Sequence, residues 1–225
     1  MTAAVTAARR TTLHRRVRFI VAFTITYNVL EAIVAIWAGA LASSTALIGF
    51  GLDSVIEVLS AVAVAWQFTR ENPERWEKPT VRAIGIAFFA LAAYVITDSV
   101  LSLTGTPDVD SSPLGIGIAA LSLIVMPALA WLEHRTGREL QSKSVMADAR
   151  QLVLCVYLSG TVLIGLLLNT LFGWAWADSV AALVVAFLAI REGLEAWRGG
   201  MESPFEVLEE MNRDEPASEP RRQRD

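Results

Sequence analysis

Apolar residues fill six stretches of the chain, 19–40, 45–68, 83–103, 114–132, 144–168 and 176–190, and polar residues gather between them. Stretches of this length predict helices that cross a bilayer, which takes about 20 apolar residues per span. The intervals read as connections. A minimal turn occupies 39–44, a polar loop 70–79, a short acidic loop with Asp108 and Asp110 105–113, a second polar loop 133–143, and a tight turn 169–174. Pro127 falls inside the fourth stretch, where neighbouring helices can tolerate a kink. The pattern predicts an all-α membrane protein whose six-helix transmembrane bundle occupies 18–198. A basic segment, 1–17, precedes it, and 199–225 is a Glu/Pro/Arg-rich tail with the composition of disorder.

The basic residues give this bundle a direction. Arg9, Arg10, Arg15, Arg16 and Arg18 precede the first stretch. Arg70, Arg75, Lys78 and Arg82 lie between the second and third, Arg135, Arg138 and Lys143 between the fourth and fifth, and several more arginines follow the sixth. The connections after the first, third and fifth stretches hold no Lys or Arg. By the positive-inside rule, six crossings then place both termini in the cytoplasm of an integral, multi-pass protein of the cell membrane. Trp174 and Trp176 are expected in the outer aromatic belt, and Trp66, Trp76, Trp131 and Trp197 near the inner one. The basic start followed by Ala40-Leu41-Ala42 resembles a secretory signal. The apolar run of about 20 residues exceeds the usual ~7–15, so the first helix is expected to be retained.

Composition narrows the chemistry. Of the 225 residues, 54% are hydrophobic, and the net charge of -4 matters less than where the charges sit. Cys155 is the single cysteine, which excludes an internal disulfide framework. His14 and His134 both fall in polar connections. No phosphate-binding glycine loop, nucleophile–base pair or zinc-protease motif is present, so neither an enzyme nor a bound cofactor is expected. The arginine clusters flank spans without interleaved aromatics, which argues against nucleic acid as a partner.

The informative residues are polar ones inside the spans. A charge at mid-membrane costs about 2.5–3.5 kcal/mol on insertion scales, so such groups are functional candidates by default. Asp53 and Glu57 lie four apart, on one helix face, where their charges repel. A divalent cation relieves both the repulsion and the desolvation, as do protons. A neutralised pair hydrogen-bonded to other helices is the alternative. Asp148, Gln151 and Cys155 share a face of the fifth helix. A rise of ~1.5 Å per residue puts Asp53 and Glu57 ~12 and ~18 Å from the outer face, and Asp148, Gln151 and Cys155 ~24, ~19 and ~13 Å from it. The two faces overlap in depth, so one site built from both helices is geometrically allowed. A lone intramembrane cysteine is also a small hydrophobe, and a glutamine is also interhelical glue. Arg150, within the fifth span, needs a partner, for which Asp148, Asp98 and Asp178 are candidates. Asp98 and Asp178, near the outer ends, suit structural or access roles, and Glu31 with Asn28 on the first helix is open to either reading.

These residues resemble the cation diffusion facilitator family over 18–198. The run Ser44-Thr45-Ala46-Leu47-Ile48-Gly49-Phe50-Gly51-Leu52-Asp53-Ser54-Val55-Ile56-Glu57 is similar to that family's second helix. The run Ser144-Val145-Met146-Ala147-Asp148-Ala149-Arg150-Gln151-Leu152-Val153-Leu154-Cys155 is similar to its fifth, and Trp176-Ala177-Asp178-Ser179 to the opening of its sixth. The resemblance implies export of zinc-like divalent metals by proton exchange, with metal and protons as substrates and a homodimer as the working unit. It makes Asp53 and Glu57 ligands, and places Gln151 and Cys155 where the family carries His and Asp. Asp148 is a further candidate to complete the shell. A non-transporting subunit or metal sensor on the same scaffold is the alternative. The resemblance is to the transmembrane domain alone; too little chain follows Arg198 for the family's cytoplasmic αββα domain, so dimerisation would fall to the membrane helices.

Overall fold

A computed structural model describes the backbone of 7–68, 73–104, 109–140 and 143–198, and the side chains of most positions in 19–62, 79–139 and 152–198. The described chain is six α-helices: α1 Ala7–Ala42, α2 Thr45–Phe68, α3 Pro73–Thr104, α4 Pro113–Leu140, α5 Lys143–Phe172 and α6 Ala175–Trp197. The order and type of elements match the apolar stretches, and the ends do not. Helix α3 starts at Pro73 within the expected polar loop, α4 runs to Leu140 through another, and α1 reaches back to Ala7. Charged residues end a membrane span without ending a helix. A proline fits the first turn, where its missing N–H has no partner to lose. Pro127 lies within a continuous α4. The tail 199–225 lies outside the described residues.

Residues Ala22–Ala42, Val81–Thr104, Pro113–Thr136 and Leu152–Phe172 are each long and apolar enough to cross a membrane. Helix α6 carries four charged residues, Asp178, Arg191, Glu192 and Glu195, and the strongly apolar α2 carries two, Asp53 and Glu57, at its centre. Large apolar side chains point outward from the bundle, among them Phe19, Ile33, Ile124, Ile164 and Phe187. Water would not tolerate that surface, whereas lipid covers it, with every helical backbone group satisfied internally. Aromatics collect at both ends. Phe172, Trp174 and Trp176 stack around the α5–α6 turn, while at the other end Arg82 lies over Trp197 and Arg135 over Trp131. This is the belt arrangement expected of tryptophan at a membrane interface.

The helices pack most extensively as α1–α2, α3–α6 and α4–α5, and α2 also touches α3, α5 and α6. Its central place follows from its small inner face. Gly51 lets α1 in: a Cβ there would stand 2.7 Å from Ile36 Cγ1 and 2.9 Å from its backbone nitrogen. The larger core gathers residues from all six helices, among them Phe50, Phe88, Val95, Val162 and Val185. A smaller one joins Ile20, Met126 and Leu152 and contains Cys155.

Carboxylates tie the ends of α3 and α6 to the start of α2. Ser44 Oγ donates to Asp178 Oδ1 at 2.5 Å, and the amide of Ala46 donates to Asp178 Oδ2 at 3.3 Å. Asp178 thus caps the first turn of α2 from α6, satisfying donors that a helix N-terminus leaves orphaned. The Thr45 hydroxyl donates to Asp98 of α3. Of the two roles open to Asp98 and Asp178, this geometry favours the structural one. The side chain of Arg150 is outside those described, so its partner is not among these contacts.

Candidate metal centre

Three side chains converge where α2 meets α5. The i, i+4 spacing stacks Asp53 and Glu57 on the buried face of α2, and α5 delivers Cys155 against them. One donor atom from each lies within 4.8 Å of the other two. Asp53 is 8% exposed and Cys155 3%, while Glu57 is half-buried. Cys155 Sγ donates to Glu57 Oε1 at 2.6 Å, which fixes the relative depth of the helices. The depth reading from sequence put Cys155 nearest Asp53; the structure pairs it with Glu57. Among the described residues no hydrogen bond reaches Asp53.

Helix α1 braces this face of α2. Asn28 Nδ2 donates to Glu57 Oε2 at 2.7 Å, and Ser54 Oγ donates to Glu31 Oε2 at 2.9 Å. Both bonds depend on the close approach that Gly51 permits. Asn28 therefore orients Glu57. Glu31, 1% exposed, is a strut between α1 and α2 beside the cluster. On the far side, Ser159 Oγ donates to the Cys155 carbonyl at 2.6 Å and lies 2.9 Å from Ser122 Oγ, joining α5 to α4.

The donors line a cavity of about 20 Å³, with Glu192 of α6 and the apolar walls of Phe88 and Leu158. That volume suits one water or one ion. Ligands of a tetrahedral zinc ion at 2.0–2.3 Å stand about 3.3–3.7 Å apart. Shifts of roughly 1 Å would therefore convert this cluster into a coordination shell, spreading Cys155 from Glu57 and drawing Asp53 in. Two hard oxygens and one soft sulfur suit zinc or cadmium better than magnesium or calcium. Gln151 stands one turn before Cys155 on α5 and Asp148 about two turns before it, but both side chains lie outside those described.

Glu192 is the residue that sequence reasoning missed. It lies just past the sixth apolar stretch, 176–190, yet it lines the same cavity as Asp53. The available signal was its spacing. It follows Asp178 by 14 residues, close to four helical turns, which returns it to the inward face of α6.

Two carboxylates and a thiol thus lie together between the helices of a multi-pass membrane protein. Comparison with known proteins agrees. Residues 21–202 match the model of the cation efflux transmembrane domain, and the chain belongs to that family. The family is one of membrane transporters, not enzymes. An uncharacterized transporter of Synechocystis is 28% identical over 171 residues, 72% of this chain and 55% of that protein. Two proteins named as cadmium, cobalt and zinc/H(+)-K(+) antiporters are similar as well. That of Bacillus velezensis is 24% identical, with 74% of this chain and 55% of the relative covered. That of Bacillus subtilis is 23% identical, with the same shares covered. The chain thus spans about half the length of these curated relatives.

Proposed function

We propose that this chain exports a divalent metal cation of the zinc–cadmium kind from the cytoplasm in exchange for protons, using Asp53, Glu57 and Cys155 as the transport site. The observation that carries this reading is the convergence of those three donors within 4.8 Å at the centre of a membrane bundle. Buried charge is expensive in a membrane, and a visiting cation is what makes it worth keeping. The antiporter names of the Bacillus relatives support the substrate class.

Proton exchange follows from the donors themselves. A metal binds thiolate and carboxylate, so binding displaces the proton that Cys155 shares with Glu57 and any proton on Asp53. Release of the metal lets protons return. Opening the cavity to one side and then the other, by rocking of α2 and α5 against their neighbours, turns this competition into antiport. Gln151 or Asp148 completes a roughly four-coordinate shell. The alternation of basic residues supports cytoplasmic termini, which makes the cytoplasmic end of α6 the loading side. A homodimer formed through membrane helices is part of the proposal by family resemblance.

The test is flux in proteoliposomes under a proton gradient. Wild type should move zinc or cadmium, and Asp53→Ala with Glu57→Ala should abolish it. Undiminished flux in the double variant would remove this site. Metal binding by wild type without flux would select the second reading, a membrane subunit or sensor on the same scaffold. That reading draws on Gln151 and Cys155 standing where the family's pattern has His and Asp.

A further inference from the structure

Asp53, Glu57 and Cys155 leave a zinc-like ion one donor short of its usual shell. On α5 the candidates for the open place are Gln151, whose neutral amide is outside zinc's usual ligand set, and Asp148, about two turns from Cys155. The cavity itself offers another. Glu192 of α6 lines it together with Asp53, Glu57 and Cys155. Helices α2, α5 and α6 each pack on the other two, so the cavity lies where these helices meet, and α6 is the one that has supplied no ligand.

The register of α2 and α6 puts Glu192 at the depth of the site. The two helices run parallel, with Ala46 beside Asp178 and Gly49 against Val185. One turn further, Asp53 and Ala189 share the cavity wall. The same register sets Gly193 level with Glu57, so Glu192 stands between Asp53 and Glu57 along the bundle. Close packing seats it there. A Cβ on Gly193 would lie 2.9–3.1 Å from the ring of Phe89, so α6 sits tightly on α3 at this level.

Among the described residues nothing else engages this carboxylate, which makes no hydrogen bond or ion pair there. Arg191, the adjacent cation, has its Nε 3.2 Å from Glu195 Oε1 on the exposed side of α6. Asp53, facing the same space, is more than nine-tenths buried and receives no hydrogen bond from the described residues. Two such carboxylates on one small, apolar-walled cavity repel each other, and a divalent cation between them removes the repulsion. Glu192 stands outside the set of donors that lie within 4.8 Å of one another; a change of rotamer on its half-buried side chain brings it in.

We propose that Glu192 is the fourth ligand: the transported cation is held by Asp53 and Glu57 from α2, Cys155 from α5 and Glu192 from α6. This rests on the transport site proposed above and gives its open place to α6 instead of to Gln151 or Asp148. Carboxylate oxygens with one sulfur remain a set that suits zinc or cadmium. Because α6 packs on α3, an ion bound this way ties the α3–α6 pair to α2 and α5, so occupancy of the site and arrangement of the bundle change together.

The experiment uses full-length protein, with cobalt(II) titrations read by the sulfur-to-cobalt charge-transfer band and X-ray absorption of the zinc-loaded form. Loss of a partner that merely orients a ligand weakens binding about 10–100-fold, so loss of the ligand itself in Glu192→Gln should weaken cobalt binding by about 100-fold or more. The band should still appear at saturating cobalt, because Cys155 stays in the shell. Glu195→Gln, which removes an exposed carboxylate one turn away, should bind cobalt as wild type does. Glu192→His supplies the decisive readout. Imidazole reaches about as far as the glutamate carboxylate and is a good zinc ligand. Neither His14 nor His134 lies on α2, α5 or α6. Imidazole scattering should therefore appear around zinc in Glu192→His and be absent from wild type. Cobalt affinity within about tenfold of wild type in Glu192→Gln overturns the assignment and leaves the fourth place to Gln151 or Asp148. Zinc bound by Glu192→His without imidazole scattering also overturns it, because any weakening in Glu192→Gln is then an effect of charge at a distance. Equal weakening in Glu195→Gln overturns it for the same reason. A wild-type protein that shows no charge-transfer band would instead contradict the transport site itself.

Discussion

Asn28→Leu separates a metal site from a structural polar cluster, because the two accounts predict different outcomes for the same residue. Asn28 donates from Nδ2 to Glu57 Oε2 at 2.7 Å, and its own Oδ1 is buried with no hydrogen-bond partner among the described residues. Leucine fills a similar volume. It removes the donor to Glu57, a hydrogen bond to a charged group worth about 1.5–3 kcal/mol, and removes an unsatisfied carbonyl whose burial costs about 1–3 kcal/mol. The two changes offset, so stability without metal should move by less than about 1 kcal/mol. Metal affinity has no such compensation. Loss of a partner that orients a ligand lowers affinity by about 10–100-fold, or roughly 1.4–2.7 kcal/mol. The assay is cadmium titration of purified protein in detergent beside a thermal melt without metal. A weaker Kd with an unchanged melting temperature fits an oriented ligand. Unchanged affinity with a lowered melting temperature would refute the reasoning, because Asn28–Glu57 would then be a strut and Glu57 no ligand.

Other perturbations address the remaining parts. Cys155→Ser replaces a soft donor with a hard one, and the preference for cadmium over manganese, read by competition binding, should fall by at least about tenfold; an unchanged ratio removes Cys155 from the shell. Metal binding should weaken as pH falls, since protons compete for the same carboxylates and thiolate, and each mole of metal bound should release protons that a weakly buffered titration detects. Binding that is flat between mildly acidic and mildly basic pH would contradict that donor set. Asp178→Ala strands the Ser44 hydroxyl and the capped first turn of α2, and should cost about 1–3 kcal/mol in stability while leaving metal selectivity alone. A selectivity change there would mean that Asp178 meets the cation.

Much of this was legible in sequence because a membrane imposes simple demands. Long apolar runs marked the helices, and i, i+4 spacing put Asp53 and Glu57 on one face. Helix ends were less legible, since the bilayer governs which residues it accepts and hydrogen bonding governs how far a helix continues. Hence α3 begins at Pro73, well before the apolar run. The meeting of Glu57 with Cys155 was visible only as an overlap in depth. Its register depends on how closely α1 and α2 approach at Gly51 and how α5 leans on α4 through Ser122 and Ser159, which are pairwise packing facts. Glu192 was hidden by its neighbours. Flanked by Arg191 and Glu195, it reads as surface charge until α6 is seated on α3.

The central claim is that Asp53, Glu57 and Cys155 take hold of the same ion. X-ray absorption of zinc-loaded protein reads that shell directly. It should show one sulfur at about 2.3 Å with oxygen or nitrogen neighbours near 2.0 Å, and the sulfur should vanish in Cys155→Ser. A shell of oxygen and nitrogen alone in the wild-type protein would contradict it.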